Sequence, residues 1–179
     1  MSKARPEGQP EQVWEGKYIK VLKHGTWEYV SRTRGVGAAV MLAADNGHVI
    51  LVEQYRVPLG RMSLELPAGL VGDEQEGEEI EAAAIRELEE ETGYTAATWR
   101  FVCTIHNAIA YSDEHLEIFL AEDLRAGEQK LDAGEFLETF TATVPELLEM
   151  VRRGEITDVK TIIGTFWLEK ILSGNWEPA

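Results

Sequence analysis

The sequence predicts an α/β fold of the α+β kind: a mixed sheet covered by helices, extended at its N-terminus by a small antiparallel β unit. Three observations carry this expectation. Runs with strand character fill the chain up to about residue 71. One strongly helical stretch, roughly Glu79 to Thr92, interrupts them. Three further strand-like runs follow, and two helical stretches come last. Elements in that order pack as layers, with helices burying the apolar faces of a sheet.

Residues 1 to about 12 are polar and hold two prolines, so they are expected to be loose. "KYIKVLKHGTWEYVSRTR" alternates apolar and polar residues around His24-Gly25, the pattern of a β-hairpin. "GVGAAVMLA" and "HVILVEQYRV" are strand-like runs joined by Asp45-Asn46-Gly47, a turn signal. "MSLELPAGLVG" reads as a short strand running into a Pro/Gly loop. The helix that follows ends at Gly93, a natural left-handed stop. "TWRFVCTI", "LEIFLAEDL" and "EFLETFTAT" read as strands, with "AGEQKLDAGE" the connection before the last of them. Thr143 and Glu146 have capping-box spacing at a helix start, and Gly154 ends that helix. "TDVKTIIGTFWLEKILSG" reads as a final amphipathic helix. The expected division is residues 1–34 as tail and hairpin extension and 35–179 as the main domain.

Composition narrows the function. The 179 residues carry 32 acidic against 17 basic side chains, a formal net charge of −15. That balance argues against a protein that tracks nucleic-acid phosphates. No apolar run is long enough to span a membrane, and the N-terminal residues lack the apolar segment of a signal peptide. One cysteine, Cys103, excludes an internal disulfide. A cytoplasmic location is expected.

The acid is concentrated in "GDEQEGEEIEAAAIRELEEETGY", Gly72 to Tyr94, which holds ten acidic residues and one arginine. On a helix, Glu87, Glu90 and Glu91 stand at i, i+3 and i+4 and share a face about 100° wide. Ala84, Ile85 and Leu88 lie on the neighbouring, packing face. Three carboxylates so close repel one another, and a divalent cation relieves the conflict. Oxygen ligands of this kind suit Mg²⁺ or Mn²⁺, which also bind substrate phosphates. A solvated acidic face is the plainer reading, and it suffices for Glu74, Glu76, Glu79, Glu81 and Glu89. Arg86 can likewise be a simple i,i+4 partner of Glu90.

The spacing Gly72-x5-Glu78-x7-Arg86-Glu87-Leu88-x-Glu90-Glu91-x-Gly93-Tyr94 resembles the Nudix box, G-x5-E-x7-R-E-U-x-E-E-x-G-U, at every defined position. The resemblance implies a Nudix-type αβα sandwich and a hydrolase of nucleoside diphosphates linked to another moiety, with Mg²⁺ or Mn²⁺ as cofactor. It implies that Glu87, Glu90 and Glu91 are metal ligands, that Arg86 orients the cluster, and that Glu78 braces the entering loop onto the helix.

Upstream, Gln54-Tyr55-Arg56 and Glu65-Leu66-Pro67-Ala68-Gly69 resemble the ADP-ribose and nucleotide-sugar pyrophosphatase branch. By that resemblance Arg56 contacts substrate, Glu65 lies in the site and the Ala68 carbonyl ligates a metal. Arg34, before Gly35, is a further phosphate or ribose candidate. Glu135 falls where this branch carries a catalytic base or extra metal ligand. The flanking acids match only in part, so Glu128 or Glu138 can hold that role instead. Tyr111 is a candidate for the sugar pocket, and Trp14, Tyr18 or Trp27 for stacking on the base. Each of these aromatics can instead simply pack. The hairpin resembles an extension that pairs two subunits, so a homodimer is expected.

One departure matters. The stretch Ala108-Ile109-Ala110-Tyr111-Ser112-Asp113-Glu114 keeps the Y-S-D-E half of the branch's S-P-G-[FY]-S-D-E loop but lacks its proline and glycine. This leaves GDP-mannose or another nucleotide sugar beside ADP-ribose as substrate. A dinucleotide such as NADH is a further candidate substrate. A non-catalytic nucleotide-sensing module is a candidate of a different class. Such modules typically lose box glutamates that this chain retains.

Overall fold

A computed structural model describes residues 6–34, 37–72, 77–131, 134 and 136–178. Strands β1 (Glu11–Glu15), β2 (Ile19–His24) and β3 (Trp27–Arg32) form an antiparallel three-stranded sheet. The hairpin is where the alternation puts it. The first strand has no signal in the sequence, because its five residues are all exposed and leave no apolar period to read. It forms by pairing its backbone with the edge of β2, Trp14 opposite Val21.

The second sheet has seven strands: β4 (Ala38–Asp45), β5 (His48–Arg56), β6 (Arg61–Glu65), β7 (Ala68–Leu70), β8 (Tyr94–His106), β9 (His115–Ala126) and β10 (Glu138–Thr143). Their main order is β10-β5-β4-β9-β8, and β4–β9 is the parallel pair in an otherwise antiparallel sheet. β4 and β5 leave their turn as a hairpin but pair only at Ala44–Val49 and Asp45–His48. Beyond that point they separate. β6 adds to β5 and β7 adds to β4, so the Leu66-Pro67 turn sits in the fork. The Pro/Gly loop expected here thus contains a short strand, formed because the Met41 amide reaches the Pro67 carbonyl and the Val71 amide the Gly37 carbonyl.

Helices α1 (Ile80–Thr92), α2 (Val144–Arg153) and α3 (Val159–Leu172) cover the sheet. β4 is buried from Ala38 to Ala44 and serves both faces. Val40 and Leu42 join a core with Leu51, Leu66, Leu147 and Leu168, beneath α2 and α3. Ala39, Met41 and Ala43 join another with Ala84, Leu88 and Phe119, beneath α1. Alternation along one strand therefore builds the αβα sandwich. Each fully buried leucine contributes about 1.5–3 kcal/mol.

α2 starts with the capping box at Thr143 and Glu146. α3 departs from a clean amphipathic pattern. It buries Thr161 and Thr165 and leaves Phe166 half exposed. The buried hydroxyls are satisfied locally, Thr161 donating to Asp158 (2.6 Å) and Thr165 to the Thr161 carbonyl (2.8 Å).

Candidate active site

The fork between β4 and β5 opens into a cleft of about 790 Å³. Arg56, Ser63 and Glu65 line one wall, and Asp158 and Lys160 at the start of α3 adjoin them. Ala68, Gly69, Glu87 and Glu91 line another. Arg32, Asn107, Tyr111 and Glu114 close the far end.

Local sequence explains the α1 wall. Glu87 and Glu91 are one helical turn apart and are both buried, at 9% and 5% exposure. Glu87 packs against Gly69: a side chain there would start 2.0 Å from the Glu87 carboxyl carbon. Glu91 accepts the Ala68 amide at 3.2 Å. Because the neighbouring ladder bonds run through Pro67 and Val71, Ala68 turns its amide and carbonyl away from β4.

Glu90 is placed differently. It does not line the cleft; its carboxylate accepts Arg86 Nη1 at 2.9 Å. The same Nη1 donates to Glu87 at 3.1 Å, while Nε and Nη2 reach Glu78 at 3.2 and 3.3 Å. Glu78 also accepts the Gly72 amide at 3.2 Å, tying the entering loop to the helix. One guanidinium thus spans three carboxylates. Burial alone would lower the Arg86 pKa, but the hydrogen bond to Glu78 and the charges of its partners outweigh it and raise it. The bond from Arg86 holds the Glu78 carboxyl below the usual carboxylate range.

The C-terminal end of α1 is held by the segment after β9. Gly93 has φ 75° and donates to the Glu89 carbonyl. The Lys130 amide donates to Glu90 O at 2.9 Å and the Gln129 side chain to Glu91 O at 2.5 Å. A Cβ on Gly93 would lie 2.8 Å from the Gln129 amide nitrogen, so this approach needs glycine as well as the turn does.

On the opposite wall Arg56 grips Glu65 with two bonds, Nε to Oε1 at 2.8 Å and Nη2 to Oε2 at 2.6 Å. Lys160 donates to the same Oε2 and, at 2.9 Å, to Asp158. Burial would push the Glu65 carboxyl up, but the Arg56 hydrogen bonds and the Lys160 charge outweigh it and hold it at about 2. The bond to Glu65 raises Arg56 in turn.

The remaining candidates from the sequence are scattered. Tyr111 lines both the cleft and a smaller hollow of about 240 Å³, which Trp27, Tyr29 and His24 share. Tyr18 and Trp14 are exposed on the N-terminal sheet and line neither hollow. Arg34 is exposed just after β3, and it is Arg32 that lines the cleft, paired with Glu114 at 2.6 Å. Glu135 lies outside the described residues. Glu128 and Glu138 are exposed and do not line the cleft. Sequence reasoning misses Arg32, Asp158 and Lys160. Asp158 has a signal, as an N-cap before an apolar helix; Lys160 has none, since its partner is 95 residues away.

The donor set fits a hard divalent cation. Glu87 and Glu91 face the cleft beside the outward-turned Ala68 carbonyl, all oxygen donors. Among the described residues no three acidic, imidazole or thiol side chains converge as a ready-made cage. A hard divalent cation can be held by one or two carboxylates, with waters and substrate completing the shell.

Residues 33–162 match the family model described as the NUDIX domain. The chain is 37% identical over 168 residues, 89% of each chain, to the ADP-ribose pyrophosphatase of Bacillus subtilis (strain 168). It is 34% identical over 155 residues, 80% of this chain and 77% of the relative, to the GDP-mannose pyrophosphatase of Cronobacter sakazakii. Its fold resembles that of a solved structure titled "Crystal structure of ADP compounds hydrolase", with TM-score 0.81, 22% identity and 98% of each chain covered.

Proposed function

The chain belongs to the Nudix family, and from that premise we propose that it hydrolyses the pyrophosphate of a nucleoside diphosphate sugar, ADP-ribose first and GDP-mannose second. The observation that carries this reading is the cleft itself, which sets Glu87, Glu91 and Ala68 against the Arg56–Glu65 pair in a space of about 790 Å³. That volume lies within the ordinary range for a small-molecule site. The relative that is 37% identical over 89% of each chain carries the name ADP-ribose pyrophosphatase. The Tyr111-Ser112-Asp113-Glu114 loop without its proline and glycine keeps GDP-mannose in view.

Water adds to one phosphorus, the bridging P–O bond breaks, and a nucleoside monophosphate and a sugar phosphate leave with one proton released. A divalent cation, Mg²⁺ or Mn²⁺, supplies when bound the positive charge that shields the pyrophosphate oxygens and acidifies a water. Glu87, Glu90, Glu91 and the Ala68 carbonyl would hold it, Glu90 also accepting Arg86, with Glu135 as base or extra ligand. Arg86 keeps the carboxylates apart and oriented. Arg56, fixed by Glu65, presents its remaining guanidinium edge to a substrate phosphate, and Arg34, exposed just after β3, is a further phosphate or ribose candidate. Tyr111 lines the pocket for the non-phosphate part of the substrate, and Trp27, which shares the adjoining hollow with it, is the candidate for the base, whereas Tyr18 and Trp14 line neither hollow. Glu135 is the proposed base that accepts the proton.

We also assign the first 34 residues to a dimer contact and the enzyme to the cytoplasm. Val13 and Trp14 are each more than half exposed on the N-terminal sheet, and joining two copies would cover them. Sedimentation at micromolar concentration should give a dimer, and Trp14→Glu should shift it to monomer; a wild-type monomer sinks the contact.

The test of function is a product-resolved assay on ADP-ribose, GDP-mannose, ADP-glucose and UDP-glucose, with and without Mg²⁺. Preferred cleavage of one, only with the ion, is expected. Absence of cleavage by folded, metal-loaded protein would turn the reading to dinucleotides, then to a sensing module.

A further inference from the structure

We propose that Lys160 is a positioning residue: it pins Glu65 to the start of α3 and so holds the Arg56 guanidinium at the cleft. The inference rests on the reading of this cleft as a hydrolase site. Lys160 is 6% exposed, an unusual place for a lysine. A buried ammonium is costly unless it is paired and hydrogen-bonded. Here it contacts Glu65 Oε2 and Asp158 Oδ2, both in the cleft wall.

Its neighbours make it part of a joint. Asp158 caps α3, accepting the Thr161 amide at 3.0 Å. The Thr161 hydroxyl accepts the Leu66 amide at 2.9 Å. Consecutive residues of α3, Lys160 and Thr161, therefore grip consecutive residues of the fork, Glu65 and Leu66. Without Lys160, Glu65 keeps only Arg56, and that pair can swing together on the longer arginine side chain. With Lys160, two cations hold one carboxylate from two elements, and the direction of Arg56 is fixed. The chain then runs through Pro67, whose carbonyl accepts the Met41 amide, to Ala68, whose amide donates to Glu91, so the fork gripped by α3 leads directly to the α1 wall.

Two measurements on the full chain test this. The first needs no substrate. In ¹⁵N-labelled protein the Arg56 Nε–H resonance, assigned by its loss in Arg56→Lys, should exchange with water at least threefold faster in Lys160→Met. The second is a double-mutant cycle on ADP-ribose with Mg²⁺. Lys160→Met should raise KM about tenfold with kcat little changed, yet change KM less than about twofold in an Arg56→Ala background. A purely structural lysine would cost the same factor in both backgrounds. Exchange less than threefold faster, or equal factors in the two backgrounds, overturns the proposal. If Lys160→Met does not fold, Lys160→Gln, which keeps a donor but loses the charge, takes its place in both tests. If no substrate is cleaved, the hydrolase reading fails, and the exchange measurement still decides the role of Lys160.

Discussion

The Glu87 carboxylate occupies the space in which a Gly69 side chain would stand, 2.0 Å from where its Cβ would be. The middle residue of β7 and a helix residue of α1 are thereby held against each other. The first prediction follows from that contact. Gly69→Ala must expel Glu87 from its place or push β7 off β4. Overpacking of this kind costs about 1–3 kcal/mol. A displacement of about 1 Å in a catalytic group costs about a hundredfold in rate. Steady-state kinetics beside a urea melt measures both; a Gly69→Ala protein with wild-type kcat/KM would show that Glu87 need not sit where it does.

Arg86 bears on the same carboxylates from the other side. Its guanidinium is the shared donor for Glu78, Glu87 and Glu90. Arg86→Ala leaves three acids close together with no cation between them, and also frees Glu78 to let go of the loop. A charged hydrogen bond is worth about 1.5–3 kcal/mol, so a loss of that order in unfolding free energy is expected. Saturating Mg²⁺ should restore part of it, since a ligand bound only by the folded state stabilises it. Urea unfolding with and without the ion measures both effects.

The Glu65 carboxyl supplies a pH signature. Its folded pKa, about 2, lies below the ordinary glutamate value of 4.5. A depressed carboxylate binds fewer protons in the folded than in the unfolded state. Its stabilising contribution is complete above the unfolded value and is lost as pH falls through the folded one. Between pH 7 and 5 this group should leave the urea midpoint flat, and below about 4.5 the midpoint should fall. Glu78 is shifted the same way and adds to the same limb. Glu65→Gln should therefore be less stable near neutrality, where it leaves Lys160 without one carboxylate, and its acid limb should be shallower. Wild-type and variant curves that run parallel below about pH 4.5 would dismiss the assignment.

What the sequence discloses and what it hides divide along physical lines. The helix of the acidic box, its glycine stop and the capping box of α2 are readable because each is specified by residues within one or two turns of each other. The buried run Ala38–Ala44 is readable as a strand, and its service to two cores follows from its alternation. β1 is hidden because it buries nothing, and β7 because Pro67 and Gly69 look like a loop until β4 pairs with them. Spacing alone groups Glu90 with Glu87 and Glu91. Helix geometry allows that, but Arg86, one turn back, draws Glu90 away from the cleft. Lys160 and Arg32 are beyond sequence reasoning, since each meets its acid across 82 to 95 residues of chain.

Glu91 offers the sharpest test of the site as a whole. It is 5% exposed, lines the cleft and is anchored twice, its side chain by the Ala68 amide and its carbonyl by Gln129. Glu91→Gln keeps the shape and can still accept the Ala68 amide, so the fold should survive, with a circular dichroism spectrum and urea midpoint close to wild type. What it removes is the negative charge. If Glu91 is a ligand, affinity for the divalent cation should fall by a factor of about ten or more and turnover should be lost, about three orders of magnitude in kcat, because an amide is a far poorer ligand for a hard cation. Raising Mg²⁺ should recover little if the charge is also needed to position the ion against the phosphate. Isothermal titration with Mn²⁺ and an assay over a range of ion concentrations separate the two effects. Turnover unchanged from wild type would remove Glu91 from the metal site and, with it, the reading of this wall of the cleft.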